Sequence, residues 1–348
     1  MQQSLQHPRT LLSWLPFFVS ALILILLTCA FPYAEGTGEV RQPIGSYLYY
    51  FWQTEQWQHC WLVLPALAFI VYSQRASLRE IPRKGDTVGL LILLVGFAIY
   101  WVGYRVGNYF FGYMALQLLV AGFILWFAGW RWMVALSFPF FFMGFLWPLH
   151  FLEASITFPL RGIMSKASVF VLNFVGIPVI LQGTGILSAP DALTGLRPGQ
   201  RFSVDVADPC SGIRSLFALM MVSALYGFFT MKKWWQKWVL FLFSIPLAIL
   251  GNLCRILMLT FGTMAMGPAV AIGTLENPSF FHMAAGYVVF AVALGGMIGI
   301  GWLLQSLPNF VETFQQVRSK QVAGLDRSRS PKEGTEEAKK SKNKVDPY

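Results

Sequence analysis

Residues 238–259 read WVLFLFSIPLAILGNLCRILML. Ser244, Asn252 and Arg255 interrupt an otherwise apolar run. As a helix rising 1.5 Å per residue, a block of about 20 residues matches a hydrocarbon core of roughly 30 Å. An arginine inside such a block costs about 2.5–3.5 kcal/mol on insertion scales, so its presence points to function. Arg255 falls near one end of the span, where snorkelling to headgroups is the competing reading.

Working outward, seven more apolar blocks carry the same signal: roughly 11–31, 58–73, 87–104, 110–130, 133–149, 212–231 and 283–304. Of the 348 residues, 56% are hydrophobic and 12% charged, whereas soluble domains carry about a quarter charged. Unpaired backbone groups in lipid cost several kcal/mol each, which favours helices as spanning elements. The short alternating segments of a transmembrane barrel are not apparent. The expected fold is therefore an all-α polytopic membrane protein of about eight transmembrane helices.

The formal net charge is +10. The placement of the charge suits membrane orientation and anionic lipid rather than nucleic acid. Arg9 precedes the first span; Arg75, Arg79, Arg83 and Lys84 separate the second and third. Arg131 follows the fourth, Lys232, Lys233 and Lys237 follow the sixth, and the tail after 304 is basic. With the N-terminus inside, every one of these groups is cytoplasmic. The four cysteines show no CxxC spacing, which argues against a zinc or redox motif. No cofactor is expected. Residues 11–31 read as an uncleaved signal anchor.

The chain divides into an N-terminal membrane region, 1–149, a second region, 150–304, with three spans, and a basic tail, 305–348, expected to be largely disordered. Before the sixth span a small extracytoplasmic element is expected. It comprises an amphipathic or partly embedded helix over 150–182 and a β-hairpin pairing Val179–Leu181 with Phe202–Val206.

This topology places three reactive side chains at one membrane face. Cys210, in DPCSGIRSL (208–216), precedes the sixth span. Arg255 lies near the outer end of the seventh, and His282, in FFHMAAGY (280–287), starts the eighth. A thiolate attacks carbonyl carbon, and a nearby cation favours the thiolate. An imidazole can carry the proton to a leaving amine, and a guanidinium can hold the oxyanion. Ser211 and Gly212 offer backbone N–H groups at a helix start, and Gly212 allows close approach. Together these groups can perform acyl transfer without metal or cofactor.

The ordered series CSGIRSL (210–216), AILGNLCRI (248–256) and His282-Met-Ala-Ala-Gly286-Tyr, preceded by PLRGIMSKASVFVLNFVGIPVILQG (159–183), resembles the exosortase/archaeosortase family over about 145–304. The five N-terminal spans match only in character. The resemblance implies a bacterial inner-membrane cysteine protease or transpeptidase (a thiol protease of the hydrolase class) with its site facing the periplasm. Its partners would be exported proteins carrying a PEP-CTERM signal: a short Pro-Glu-Pro-type motif, a transmembrane helix and a basic cluster. It further implies protein sorting linked to exopolysaccharide production, with Cys210 as nucleophile and Arg255 and His282 as its companions. Pro209, Cys254 and Met283 depart from common family choices, which bears on subfamily and signal.

The alternatives are a non-catalytic membrane subunit of exopolysaccharide assembly or export, and a small-solute transporter. Charges are almost absent from the first five spans, which disfavours the transporter. Arg214 either engages substrate or thiol, or pairs with Asp205 or Asp208. Asn252, one turn before Arg255, is a candidate hydrogen-bonding partner. His150 and His59 rival His282 as acid/base.

Overall fold

The computed structural model describes residues 15–36, 40–54, 56–205, 213–274 and 277–329. The molecule is mostly helical. In chain order, α1 (Leu15–Ile25) runs into a π-helical turn over Leu26–Ala30. The ribbon of β1 (Pro32–Glu35) and β2 (Arg41–Pro43) follows, then α2 (Ile44–Gln53), α3 (Cys60–Ser73), α4 (Arg75–Glu80), α5 (Val88–Val106) and α6 (Tyr109–Ala128). Next come α7 (Trp130–Ala135), α8 (Ser137–Phe142), a 3-10 turn at Met143–Leu146, and α9 (His150–Phe174). A sheet of β3 (Val179–Gln182), β4 (Gly185–Ser188) and β5 (Ser203–Asp205) leads to α10 (Ile213–Thr230), α11 (Trp234–Met266), α12 (Pro268–Ala271) and α13 (Phe280–Arg329).

Among the described residues, four helices are long and apolar enough to cross a membrane: α5, α6, α11 and α13 through Ser306. The first, second and sixth expected spans appear as shorter apolar helices. The fifth, 133–149, likewise holds a shorter apolar helix, Ser137–Leu146, whose last turn is 3-10. Pro139 has no N–H to give the carbonyl of Ala135, so α7 stops and α8 restarts with the proline in its first turn.

The element before the sixth span also differs from expectation. The helix is present as α9, but β3 pairs with Gly185–Ser188, not with 202–206. Gly183, at φ 64°, takes the left-handed conformation of a two-residue turn and directs the chain straight back. Ser203–Asp205 pairs with the other edge of β4, making three strands instead of a hairpin. The helical backbone of α13 runs to Arg329, well into the stretch expected to be disordered. Its residues 309–323 contain few helix breakers, which overrides their polarity.

Three of the hydrophobic cores among the described residues bear on the site. The N-terminal core centres on Tyr33, Trp52, Cys60, Tyr113 and Phe142. A second joins α10, α11 and α13 through Leu216, Leu219, Leu240, Ala248, Ala293 and Met297. A third wraps the end of α11, where Ile256 and Leu259 meet Leu160 and Met164 of α9, Val179 and Ile186 of the sheet, Phe202 and Ala285. The 33 residues of α11 extend about 50 Å, well beyond a hydrocarbon core, so its last turns need this apolar sheath.

Polar pins set the register of the C-terminal bundle. Gln236 is buried and its Nε2 donates to Leu304 O at 2.7 Å. In a regular helix that carbonyl would accept from residue 308, but residue 308 is proline. Gln236 thus supplies the donor that Pro308 removes. Its Oε1 accepts from Lys233 N, which caps the start of α11. Ser223 of α10 donates to Leu240 O at 3.0 Å. Gly267, at φ 84°, ends α11, and Pro268 opens α12.

Candidate active site

Helices α11 and α13 meet at the end of the bundle opposite the lysines around 232–237. Arg255 Nη2 lies 2.9 Å from His282 Nε2. From Gln236 to Arg255 along α11, and from His282 to Leu304 along α13, the pins lie about 29 and 33 Å apart at 1.5 Å per residue. Those lengths bracket a hydrocarbon core of about 30 Å. The pair therefore sits one membrane thickness from the lysine-rich end, and both side chains are half-buried.

Local structure holds each partner. Ser279 caps α13: its Oγ accepts from His282 N at 3.0 Å and donates to Ala271 O at 2.9 Å. A serine three residues ahead of its N–H partner is the usual N-cap arrangement. The loop feeding α13 is tight. Ser279 N donates to Ile272 O, Thr274 N donates to Asn277 O, and Asn277 N returns a bond to Thr274 Oγ1. Gly273 makes this possible. Its φ is 80°, and a Cβ there would lie 2.5 Å from Ser279 N.

Gly286, one turn after His282, lies against the guanidinium. A Cβ built there would be 3.5 Å from Arg255 Cζ. Asn252 is buried one turn before Arg255. Cys254, the residue before Arg255, is exposed. Ser279 and Gly273 were not singled out from the sequence, and Gly286 entered only as part of the motif after His282. The Ser279-Phe-Phe-His282 run before an apolar block was the legible signal for the cap.

Of the expected site residues, the structure brings Arg255 and His282 together, with Asn252 beside the arginine. Arg214 is exposed in the first turn of α10. Cys210, Ser211 and Gly212 lie outside the described residues. Of the two rival histidines, His59 is buried and stacks on Phe217 at 6.1 Å, with Cys60 Sγ 3.9 Å from its Nε2. Counting from the Ser223–Leu240 pin, Phe217 lies about 13 Å along the helix axis from the level of Arg255. His59 belongs to the N-terminal core. The side chain of His150 lies outside the described residues. A cavity of about 780 Å³ opens between the sheet and the end of α11, lined by Ile177, Pro178, Asp191, Arg201, Phe202 and Met264. Met264 is nine residues past Arg255, half a turn out of phase with it, so this cavity faces away from the pair.

These features define a multi-pass helical membrane protein with an arginine–histidine pair at one end of its C-terminal bundle. The sequence model of the transmembrane exosortase family (Exosortase_EpsH) matches residues 52–299. That match takes in α10, α11, the start of α13 to residue 299 and most of the N-terminal region, and the chain belongs to this family. No curated protein and no solved structure matches it.

Proposed function

We propose that this protein is a membrane cysteine protease or transpeptidase that processes exported proteins. Its substrates carry a C-terminal signal with a PEP-CTERM-type motif, a transmembrane helix and a basic cluster. The observation that carries this reading is the Arg255–His282 contact, formed by two helices of a chain in the exosortase family. The site faces the exterior of a bacterial inner membrane, with both termini cytoplasmic, because that orientation keeps the lysine- and arginine-rich loops inside.

Cys210 is the nucleophile in this reading. Ile213, the first described residue of α10, lies level with Leu250 by the Ser223–Leu240 register, about 7.5 Å short of Arg255 along the axis. Cys210 precedes Ile213 by three residues in the chain. His282 takes the thiol proton, and the sulfur adds to the scissile carbonyl carbon. Arg255 holds the resulting oxyanion, as could the N–H groups of Ser211 and Gly212. Collapse breaks the C–N bond, the amine leaves with the proton from His282, and a thioester remains. Water or an acceptor amine then resolves the thioester. The substrate's transmembrane helix, packed beside the bundle, holds the scissile peptide at the membrane surface, a positioning effect worth several kcal/mol.

The test is processing of a tagged exported protein ending in such a signal, co-expressed with wild-type protein or with Cys210→Ala. Cleavage by wild type and none by the alanine variant, at equal membrane levels, is the expected result. Full cleavage by Cys210→Ala would remove the reading.

A further inference from the structure

The cavity of about 780 Å³ between the sheet and the end of α11 has no part in the chemistry above, yet its size is that of a ligand pocket. Its walls are largely apolar, with Ile177, Pro178, Pro190, Phe202 and Met264 among them. Arg201 supplies a cation. Its side chain is half-exposed, and Nη2 donates to Asp191 Oδ2 at 2.6 Å. Among the described residues that is the one bond its guanidinium makes, so most of its five N–H donors are open to a ligand.

Asp191 does not depend on the arginine. Its Oδ1 accepts from Leu193 N at 2.9 Å. The Thr194 hydroxyl is the first cause holding its carboxyl below the usual range, and Arg201 contributes least. An exposed pair of this kind is weak, so a second carboxylate can take the guanidinium. The arginine is fixed at its root. Arg201 N donates to Oγ of the buried Ser188 at 3.2 Å, and Ser188 N donates to Phe202 O. At the rim Leu193 stands 98% exposed, an apolar side chain left to water or to a ligand.

We propose that this cavity is a docking subsite for the exported substrate. It takes an acidic residue within an apolar stretch of extended chain, the carboxylate on Arg201 and its neighbours against Ile177, Phe202 and Met264. The proposal rests on the protease or transpeptidase reading above and names how that site selects the polypeptide leading into it. Met264 lies nine residues beyond Arg255, about 13 Å along the axis of α11 and on the opposite face of a helix about 10 Å across. An extended chain rising about 3.3 Å per residue covers the path around the helix in about six residues. In a substrate anchored by a C-terminal membrane helix, the chain on the exterior side precedes the bond that is cut. The acidic residue therefore lies about six residues before that bond. An acidic polysaccharide carries the same charge, but its hydroxyl-rich rings would leave hydrogen bonds unmade against these apolar walls.

The test is binding, read apart from cleavage. A fluorescein-labelled decapeptide of alanine, proline and valine with one central glutamate is titrated into full-length protein in detergent, and anisotropy gives Kd. The glutamate peptide is expected to bind about tenfold tighter than its glutamine twin, as a hydrogen bond between charged partners allows. Arg201→Gln is expected to abolish that difference, and Arg201→Glu to favour a lysine peptide. Asp191→Asn keeps the acceptor for Leu193 N but removes the internal competitor, and should bind the glutamate peptide about threefold tighter than wild type.

Equal affinity of wild type for the glutamate and glutamine peptides, or a preference that survives Arg201→Gln, overturns the subsite. So does displacement of the peptide by equimolar trigalacturonate, which would make the cavity a sugar site. Should Arg201→Gln fail to insert, Asp191→Asn decides: binding no tighter than wild type overturns the proposal. Processing that is lost in Cys210→Ala, together with equal peptide affinities, would sink the subsite alone. Cleavage by Cys210→Ala would sink the underlying reading.

Discussion

Arg255 and His282 are 27 residues apart in the chain, yet their side chains meet at 2.9 Å. The same two helices are joined again through Gln236 and Leu304, about one hydrocarbon thickness away. The antiparallel pair α11 and α13 thus has its length set by two polar contacts, one at each end. The end away from the lysines is where the chemistry is proposed.

Ser279 orients His282 through the helix cap. Ser279→Ala removes an N-cap worth about 1 kcal/mol and frees the first turn of α13. Misplacing an acid/base group is costly, so processing is expected to fall about tenfold while the protein still inserts. Ser279→Thr retains both the acceptor and the donor and should restore most of the rate. Normal processing by Ser279→Ala would show that the cap does not serve the histidine.

The two glycines near the pair should behave differently. Gly273→Ala forces a side chain into a left-handed residue and puts a Cβ 2.5 Å from Ser279 N, so the loop must shift and processing should collapse. Gly286→Ala adds only an ordinary contact, 3.5 Å from Arg255 Cζ, and should stay within a few-fold of wild type. Gly286→Leu should displace the guanidinium and lose processing. Equal effects of Gly273→Ala and Gly286→Ala in the tagged-substrate assay would contradict this.

Gln236→Leu leaves the Leu304 carbonyl without the donor that Pro308 also withholds. An unsatisfied buried polar group costs about 1–3 kcal/mol. Thermal unfolding in detergent should start several degrees lower, with residual activity at low temperature. Gln236→Leu combined with Pro308→Ala should recover much of that loss, because the helix can then satisfy its own carbonyl. An unchanged transition in the single variant would show that the pin contributes nothing.

His59 is buried on Phe217 in the N-terminal core, away from the level of Arg255. His59→Phe keeps the stack and should keep processing. Loss of processing without loss of membrane level would return His59 to the catalytic set.

The long apolar blocks were legible because hydropathy over about 20 residues is a one-dimensional signal, and α5, α6, α11 and α13 all follow it. The pairing of Arg255 with His282 was legible only as a shared membrane face; the 2.9 Å contact depends on helix rotation, which hydropathy does not encode. The ribbon of β1 and β2 and helix α2 went unread because 32–53 mixes aromatic and polar residues without a clean period. The strand pairing was misassigned because Phe202–Val206 alternates well, while the nearer partner Gly185–Ser188 begins with a glycine. Pro139 was the overlooked mark of the broken fifth block. The role of Gln236 could be read only once its Nε2 was seen on the Leu304 carbonyl, which Pro308 leaves without a helical donor.

Cross-linking across the site tests most directly whether the thiol meets the arginine–histidine pair. In protein with Cys29, Cys60 and Cys254 replaced by alanine, Cys210 is paired with a cysteine at position 282 or, as a control, at position 304. A short bis-methanethiosulfonate reagent is applied to native membranes, and the linked peptides are quantified by mass spectrometry. A strong link between 210 and 282 and none between 210 and 304 is the predicted result. Absence of the 210–282 link while both cysteines react singly, or an equal link to 304, would contradict a shared site.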